Sequence, residues 1–236
     1  MEERTWIRFP EFPDQFPLST DSVLLADFAA VRGRKRVMDL GAGCGTLGLL
    51  LCASDPNCTA EGLELQRSSV LQAREIIRLN GMEQRVTVTE GDLRQIRAIC
   101  RPGSYDAVVS NPPYFPAGRG AASANEAIAI ARTELCCTLM DVCSAAAWLL
   151  PTGAPFYLVH KPERLCDLMT ALRNHRLEPK RMRFVRHTPT ALPALVLIES
   201  RKGGNPGLAM MQDLILHRED GTETPEYRRI YGLEER

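Results

Sequence analysis

A chain of 236 residues, 44% hydrophobic and 25% charged, has room for one α/β domain and is too apolar for a disordered chain. Its 29 basic and 29 acidic side chains cancel, which gives no support to a general nucleic-acid coat. No apolar run reaches the length of a membrane span, Met1-Glu2-Glu3-Arg4 opens no signal pattern, and the eight cysteines form no C-x-x-C pair, so a cytoplasmic protein with reduced thiols, no membrane segment and no metal site is expected.

In chain order, residues 1–35 read as an arm with Pro10, Pro13 and Pro17, ending in a short apolar helix (Val23 to Ala29) capped by Thr20 or Asp21. Residues 36–202 then alternate strand-like and helix-like segments, the pattern of a parallel sheet with helices on both faces. The strands are Arg36–Leu40, Ala60–Leu65, Val86–Thr89, Tyr105–Ser110, Phe156–His160, Met182–His187 and Leu195–Ser200. Between them, helices are expected over Thr46–Ala53, Ser68–Asn80, Leu93–Ile99, Glu134–Leu150 and Glu163–Asn174. The second of these carries its apolar positions at Val70, Leu71, Ile76, Ile77 and Leu79, and stops at Asn80-Gly81. Residues 203–236 read as a tail packing on the same domain, with Asp213–His217 as an edge strand and Glu219-Asp220-Gly221-Thr222 as a turn.

Two motifs carry chemistry. Asp39-Leu40-Gly41-Ala42-Gly43-Cys44-Gly45 follows the first strand and opens a helix, so Gly41, Gly43 and Gly45 allow close approach of a ligand to the backbone. Their G-x-G-x-G spacing is not the G-x-G-x-x-G of dinucleotide sites. Three acids follow at successive strand ends: Asp39 for a cationic amine, Glu64 for ribose hydroxyls, Asp92 for an adenine amino group. Together they favour S-adenosylmethionine (SAM), with the amino-terminal helix covering it.

The second motif is Asn111-Pro112-Pro113-Tyr114, directly after the fourth strand. Two prolines neither extend a ladder nor enter a helix interior, so they hold a rigid bend. The bend presents the Asn111 amide, the Pro112 carbonyl and the Tyr114 ring. Two acceptors and a stacking face suit a planar group bearing NH2: a nucleobase amine or an amide side chain. Phe115 stands beside Tyr114 as a second stacking ring, and the Gly/Ala-rich run Gly118–Ala124 reads as either a mobile loop or a substrate lid. Between Arg173 and Lys202, eight cations face only Glu178 and Glu199, a local excess suited to phosphates. A second basic knot is Arg32-Gly33-Arg34-Lys35-Arg36.

The pairing of these two motifs resembles class I SAM-dependent methyltransferases that modify amino groups. Leu18-Ser19-Thr20-Asp21-Ser22-Val23-Leu24-Leu25 resembles the Thr-Asp helix start of the tRNA1(Val) adenine-N6 methyltransferase family. Ala131-Arg132-Thr133-Glu134, Leu177-Glu178-Pro179-Lys180-Arg181 and Lys202-Gly203-Gly204-Asn205-Pro206-Gly207-Leu208 are similar to its bacterial branch. The resemblance runs from about Phe16 to Tyr231. It implies a Rossmann-like seven-stranded, mostly parallel sheet with helices on both faces and the last strand antiparallel. It also implies SAM contacts at Asp39, Gly41, Glu64, Asp92 and Asn111, and catalysis at Asn111 and Tyr114. Thr20, Gly43 and Gly45 join the expected cofactor set, Pro112 the catalytic set, and Tyr114, Phe115, Arg132, Lys180 and Arg181 the substrate set. Ser19 and Ser22 stand where the family often has Gly, and Thr133 where it often has His.

The expected activity is N6 methylation of an adenosine in tRNA by a monomer or weak homodimer. The rivals are protein-glutamine N5 methylation, which the short segment ahead of Arg36 and the cation-rich stretch disfavour, and rRNA guanine-N2 or adenine-N6 methylation. A nicotinamide-dependent oxidoreductase is disfavoured by the glycine spacing.

Overall fold

The computed structural model describes residues 7–9, 19–33, 35–112 and 137–233. Its strands are β1 (Arg36–Leu40), β2 (Thr59–Glu64), β3 (Val86–Glu90), β4 (Ala107–Ser110), β5 (Pro155–His160), β6 (Leu177–Arg186), β7 (Leu195–Lys202), β8 (Ala209–Met210) and β9 (Leu214–Ile215). The helices are α1 (Thr20–Ala29), α2 (Thr46–Ser54), α3 (Arg67–Leu79), α4 (Ile96–Ile99), α5 (Leu139–Leu149), α6 (Leu165–Asn174) and α7 (Pro225–Tyr231), with 3-10 turns at Leu93–Gln95 and Pro162–Arg164.

The sheet runs β3-β2-β1-β4-β5-β7-β6. Strand β7 is antiparallel to both β5 and β6, and the other pairings along this path are parallel. A Rossmann-like, mostly parallel sheet with its seventh strand reversed is therefore the fold. The two-residue strands β8 and β9, of which β8 was not expected, pair with β6 at its far edge.

Central strands are buried on both faces, which is why they read as near-continuous apolar runs rather than alternating ones. In β4, Val108 and Val109 are each fully buried, and they enter different cores. Val109 joins the core under α1, α2, α3 and α7, with Leu24, Leu49, Ile76 and Tyr227. Val108 joins the one under α4, α5 and α6, with Ile96, Leu149 and Leu168. Burial of one such Leu or Val stabilises the fold by roughly 1.5–3 kcal/mol.

Several boundaries differ from expectation. Helix α1 is capped by Ser19, not Thr20 or Asp21: its side chain accepts the Ser22 N–H, leaving Asp21 in the first turn. In α3 the buried face is Ser69, Val70, Ala73, Ile76 and Ile77. Leu71 and Leu79 are exposed, because each lies about a quarter turn or more from that stripe. Strand β6 starts at Leu177, five residues earlier than expected, since a register shift between Pro179 and Arg181 absorbs the proline. Helix α5 starts at Leu139, set by a capping box between Thr138 and Asp141. The expected start at Glu134 lies outside the described residues.

The tail packs against the sheet and α1. Tyr227, Ile230 and Tyr231 of α7 are buried in the α1 core, and Arg229 pairs with Asp27 of α1 at 2.9 Å. No helix among the described residues is long and apolar enough to cross a membrane.

Candidate active site

The parallel strands deliver the expected residues to one edge. Asp39 of β1 is level with Val109 of β4, so Gly41 and Asn111 each stand two residues beyond a paired position. Likewise Leu40 is level with Leu63, which puts Glu64 beside Gly41. Asp92 follows β3 by two residues. Strand β1 is flanked by β2 and β4, so the chain winds outward from it in both directions, and in such sheets the crevice at that point takes the ligand.

The three glycines of the loop have φ of +74°, +54° and +77° at Gly41, Gly43 and Gly45, a region that L side chains rarely adopt. A Cβ built on Gly41 or Gly43 meets nothing within 4 Å, whereas one on Gly45 would lie 3.3 Å from Val88. The first two glycines thus face open space and the third packs loop to sheet. Gly41→Ala is expected to cost about 1–2 kcal/mol of stability through its φ alone. It should also weaken S-adenosylhomocysteine binding by about tenfold or more, since the methyl enters the cradle. Denaturant titration and calorimetry measure the two effects separately.

Glu64 is buried and shapes the loop: Oε2 accepts the Gly43 N–H at 2.9 Å and Oε1 the Gln66 N–H at 2.8 Å. Each carboxylate oxygen retains a lone pair that a hydroxyl can fill. Asp92 takes a local task. Its Oδ1 accepts the Arg94 N–H as a helix cap at 2.9 Å, and the carboxylate is bidentate to the Arg94 guanidinium. The Arg94 hydrogen bonds hold its carboxyl below the usual range.

Asp39 is unlike either. It is 2% exposed, lies on the same sheet face as Val37, towards α1 and α2, and neither carboxyl oxygen has a hydrogen-bond partner. Burial, and secondarily the Glu64 charge, push its pKa up to about 8 against a small opposing pull from the Gly48 amide. A buried carboxyl without a partner is costly unless a cation arrives. That orphaned group, beside a loop with room for a ligand, fits a molecule with a cationic amine such as SAM.

Asn111 leaves β4 opposite the start of α1. Its Nδ2 donates to Ser22 Oγ at 3.1 Å and to Ser19 Oγ at 3.4 Å. Behind it, Ser110 Oγ donates to the Leu40 carbonyl at 2.8 Å, tying the end of β4 to β1. Neither Ser110 nor the two serines at the start of α1, Ser19 as its cap and Ser22 in its first turn, was expected at the site; the Ser19-x-x-Ser22 spacing at a helix start was the available signal. Pro112 is buried directly beyond Asn111. Thr20 sits exposed on the first turn of α1. Tyr114, Phe115, Arg132, Thr133 and the Gly118–Ala124 run lie outside the described residues.

The cation-rich stretch is not an open basic face. Arg183 is bidentate to Glu226 at 2.8 Å, Arg186 pairs with Asp213 at 2.5 Å, and Arg173 pairs with Glu178 at 2.9 Å. Arg181 pairs with Glu199, which also takes Arg201 at 3.0 Å. Two acids distant in sequence, Glu226 and Asp213, offset part of the local excess. Arg181 is level with Glu199, Tyr157 and hence Val109, on the third strand from β4, and Lys180 bonds the Asn205 carbonyl at 3.0 Å. The second basic knot lies at the opposite end of β1 from the glycine loop, with Arg36 paired to Glu61 at 2.6 Å. Among the described residues no group of three or more His, Cys, Asp or Glu is placed to hold a metal ion.

Comparison with known proteins agrees with this geometry. Residues 18–137 match the methyltransferase small domain family. The chain is 33% identical over 218 residues to a tRNA1(Val) (adenine(37)-N6)-methyltransferase of Tolumonas auensis, covering 89% of this chain and 86% of the relative. It is 30% identical over 212 residues to the protein of that name in Cronobacter sakazakii, covering 89% and 84%. Among solved structures, a protein of Agrobacterium tumefaciens described as a predicted O-methyltransferase superposes with a TM-score of 0.75 at 21% identity, covering 90% of this chain and 96% of that one. A geranyl diphosphate methyltransferase in complex with SAM superposes at 0.56 and 16% identity, covering 77% and 84%. A glycine cradle beside an orphaned buried acid, on this sheet and with these relatives, means that the chain belongs to the methyltransferase small domain family and is a SAM-dependent methyltransferase.

Proposed function

We propose that this enzyme methylates the N6 amino group of an adenosine in tRNA, in the cytoplasm. The observation that carries the reading is the orientation of Asn111. With Nδ2 bonded to α1, the amide oxygen is directed away from that helix as an acceptor for an amine. The relatives named for adenine-N6 methylation of tRNA1(Val) supply the substrate class.

When bound, SAM supplies an electrophilic methyl group on a sulfonium. We assign Asp39 to its cationic amine, the Gly41–Gly45 loop to its backbone cradle, Glu64 to the ribose hydroxyls, and Thr20 and Asp92 to the rim of the site. An aromatic amine is a poor nucleophile because its lone pair is delocalised into the ring. Acceptors at Asn111 Oδ1 and the Pro112 carbonyl would take its two hydrogens and favour a pyramidal nitrogen with its lone pair freed. Such bonds strengthen as charge develops, so they act on rate more than on binding. Tyr114 and Phe115 are assigned to stacking the displaced base, and Arg132 to the RNA.

The test is mass spectrometry of nucleosides from tRNA and rRNA of cells with and without the protein, with purified enzyme and tRNA as the second arm. Loss of N6-methyladenosine from one tRNA supports the reading. Unchanged tRNA nucleosides together with methyl transfer to a protein glutamine would overturn it.

A further inference from the structure

Resting on that reading of Asn111, we infer that Ser22, with Ser19, is a positioning pair that locks the orientation of the catalytic amide. A proton count decides the direction. A serine hydroxyl has one proton and two lone pairs. Ser19 Oγ accepts the Ser22 N–H at 3.2 Å as the helix cap and gives its own proton to Ser22 Oγ at 3.1 Å. Towards Asn111 it therefore presents only a lone pair. Ser22 Oγ, accepting from Ser19, likewise receives Asn111 Nδ2 at 3.1 Å. Because Ser19 Oγ has only a lone pair left, a flipped amide would set its oxygen against that lone pair, whereas the NH2 end bonds both hydroxyls, so the oxygen end is directed to the substrate side.

The clamp is stiff because its two jaws are. Ser22 is 8% exposed, and the next residues of α1, Val23 and Leu24, are at most 1% exposed. The other jaw is the end of β4, held to β1 by the Ser110 hydroxyl. An acceptor that does not reorient as the reaction proceeds is what makes such a group effective. Ser19 and Ser22 touch neither reacting atom; they act through Asn111.

Ser22→Ala is expected to lower kcat about tenfold, the effect of one lost bond to a group that must stay oriented. The KM for SAM and the affinity for S-adenosylhomocysteine should change by about twofold or less. Ser22→Gly should match it. Ser19→Thr, which keeps both cap and hydroxyl, should retain wild-type kcat, while Ser19→Gly loses it with little cost to the helix start. In an Asn111→Ala background, Ser22→Ala should cost nothing more, whereas a merely structural role would multiply. A readout independent of activity is the Asn111 side-chain NH2 resonance pair of the free protein, expected to be protected from exchange in wild type and to lose that protection in Ser22→Ala. Wild-type kcat in Ser22→Ala, multiplicative loss in the double variant, or unprotected Asn111 protons in wild type would each overturn the clamp. If wild type transfers no methyl to tRNA, the substrate reading fails instead, and the resonance measurement still decides the clamp.

Discussion

Asn111→Ala is expected to lower methyl transfer by about 10²–10³-fold, the range seen when one oriented group that stabilises developing charge is removed. S-adenosylhomocysteine should bind the variant within about tenfold of wild type, because the groups assigned to the amine and the glycine cradle stay in place. The fold should survive: Asn111 follows β4 rather than filling a core, and Ser110 still ties β4 to β1. Asn111→Asp keeps an acceptor for the amine and loses the donor to Ser19 and Ser22, so its rate should fall between those of Asn111→Ala and wild type. Calorimetry with S-adenosylhomocysteine and single-turnover transfer to tRNA separate binding from chemistry. A variant that loses binding and rate in proportion would make Asn111 a cofactor ligand and not the group that handles the amine.

Asp39 yields the second large effect, through protons. In the free protein burial raises its carboxyl from 3.8 to about 8, so near pH 7 it is largely protonated. Pairing with a cationic amine requires the carboxylate. Binding of S-adenosylhomocysteine below about pH 8 should therefore release up to one proton per site, and the release should vanish above about pH 8. Calorimetry in buffers of different ionisation enthalpy measures this directly. In Asp39→Asn the Asp39-linked release should be absent at every pH, and affinity above pH 8 should drop by about tenfold or more. Stability follows the same linkage. Between pH 3.8 and about 8 the folded state holds a proton that the unfolded chain has given up, so this group makes the free protein progressively less stable as pH rises through that window, and no further above it. A proton count of zero at pH 6.5 in wild type would mean that the amine binds elsewhere.

The glycine turn was legible because the backbone there leaves few residue choices. Gly41, Gly43 and Gly45 all adopt positive φ, which glycine meets without strain and L side chains rarely adopt, so the spacing itself records the loop. Strand β4 stops at Ser110, just ahead of Pro112, since a proline adds no ladder bond. The central strands were visible as apolar runs because both faces are buried. Edge elements were less visible: β8 is two exposed residues, and β6 carries Pro179 across a register shift that strand patterning does not foresee.

Charge was the poorest guide. Arg183 and Arg186 look unopposed in sequence, but Glu226 and Asp213 reach them from 43 and 27 residues away. Electrostatics depends on distance in space, and local counting sees only distance along the chain.

The order of elements and the glycine turn were determined by the residues themselves, since φ preference and the apolar pattern are local properties. Which acid stands unpartnered, which one caps a helix, and what holds the Asn111 amide were decided only when β1, β4 and α1 came together. A hydrogen bond between residues 89 positions apart, as between Ser22 and Asn111, exists only once packing has excluded water and brought both ends to a rigid place.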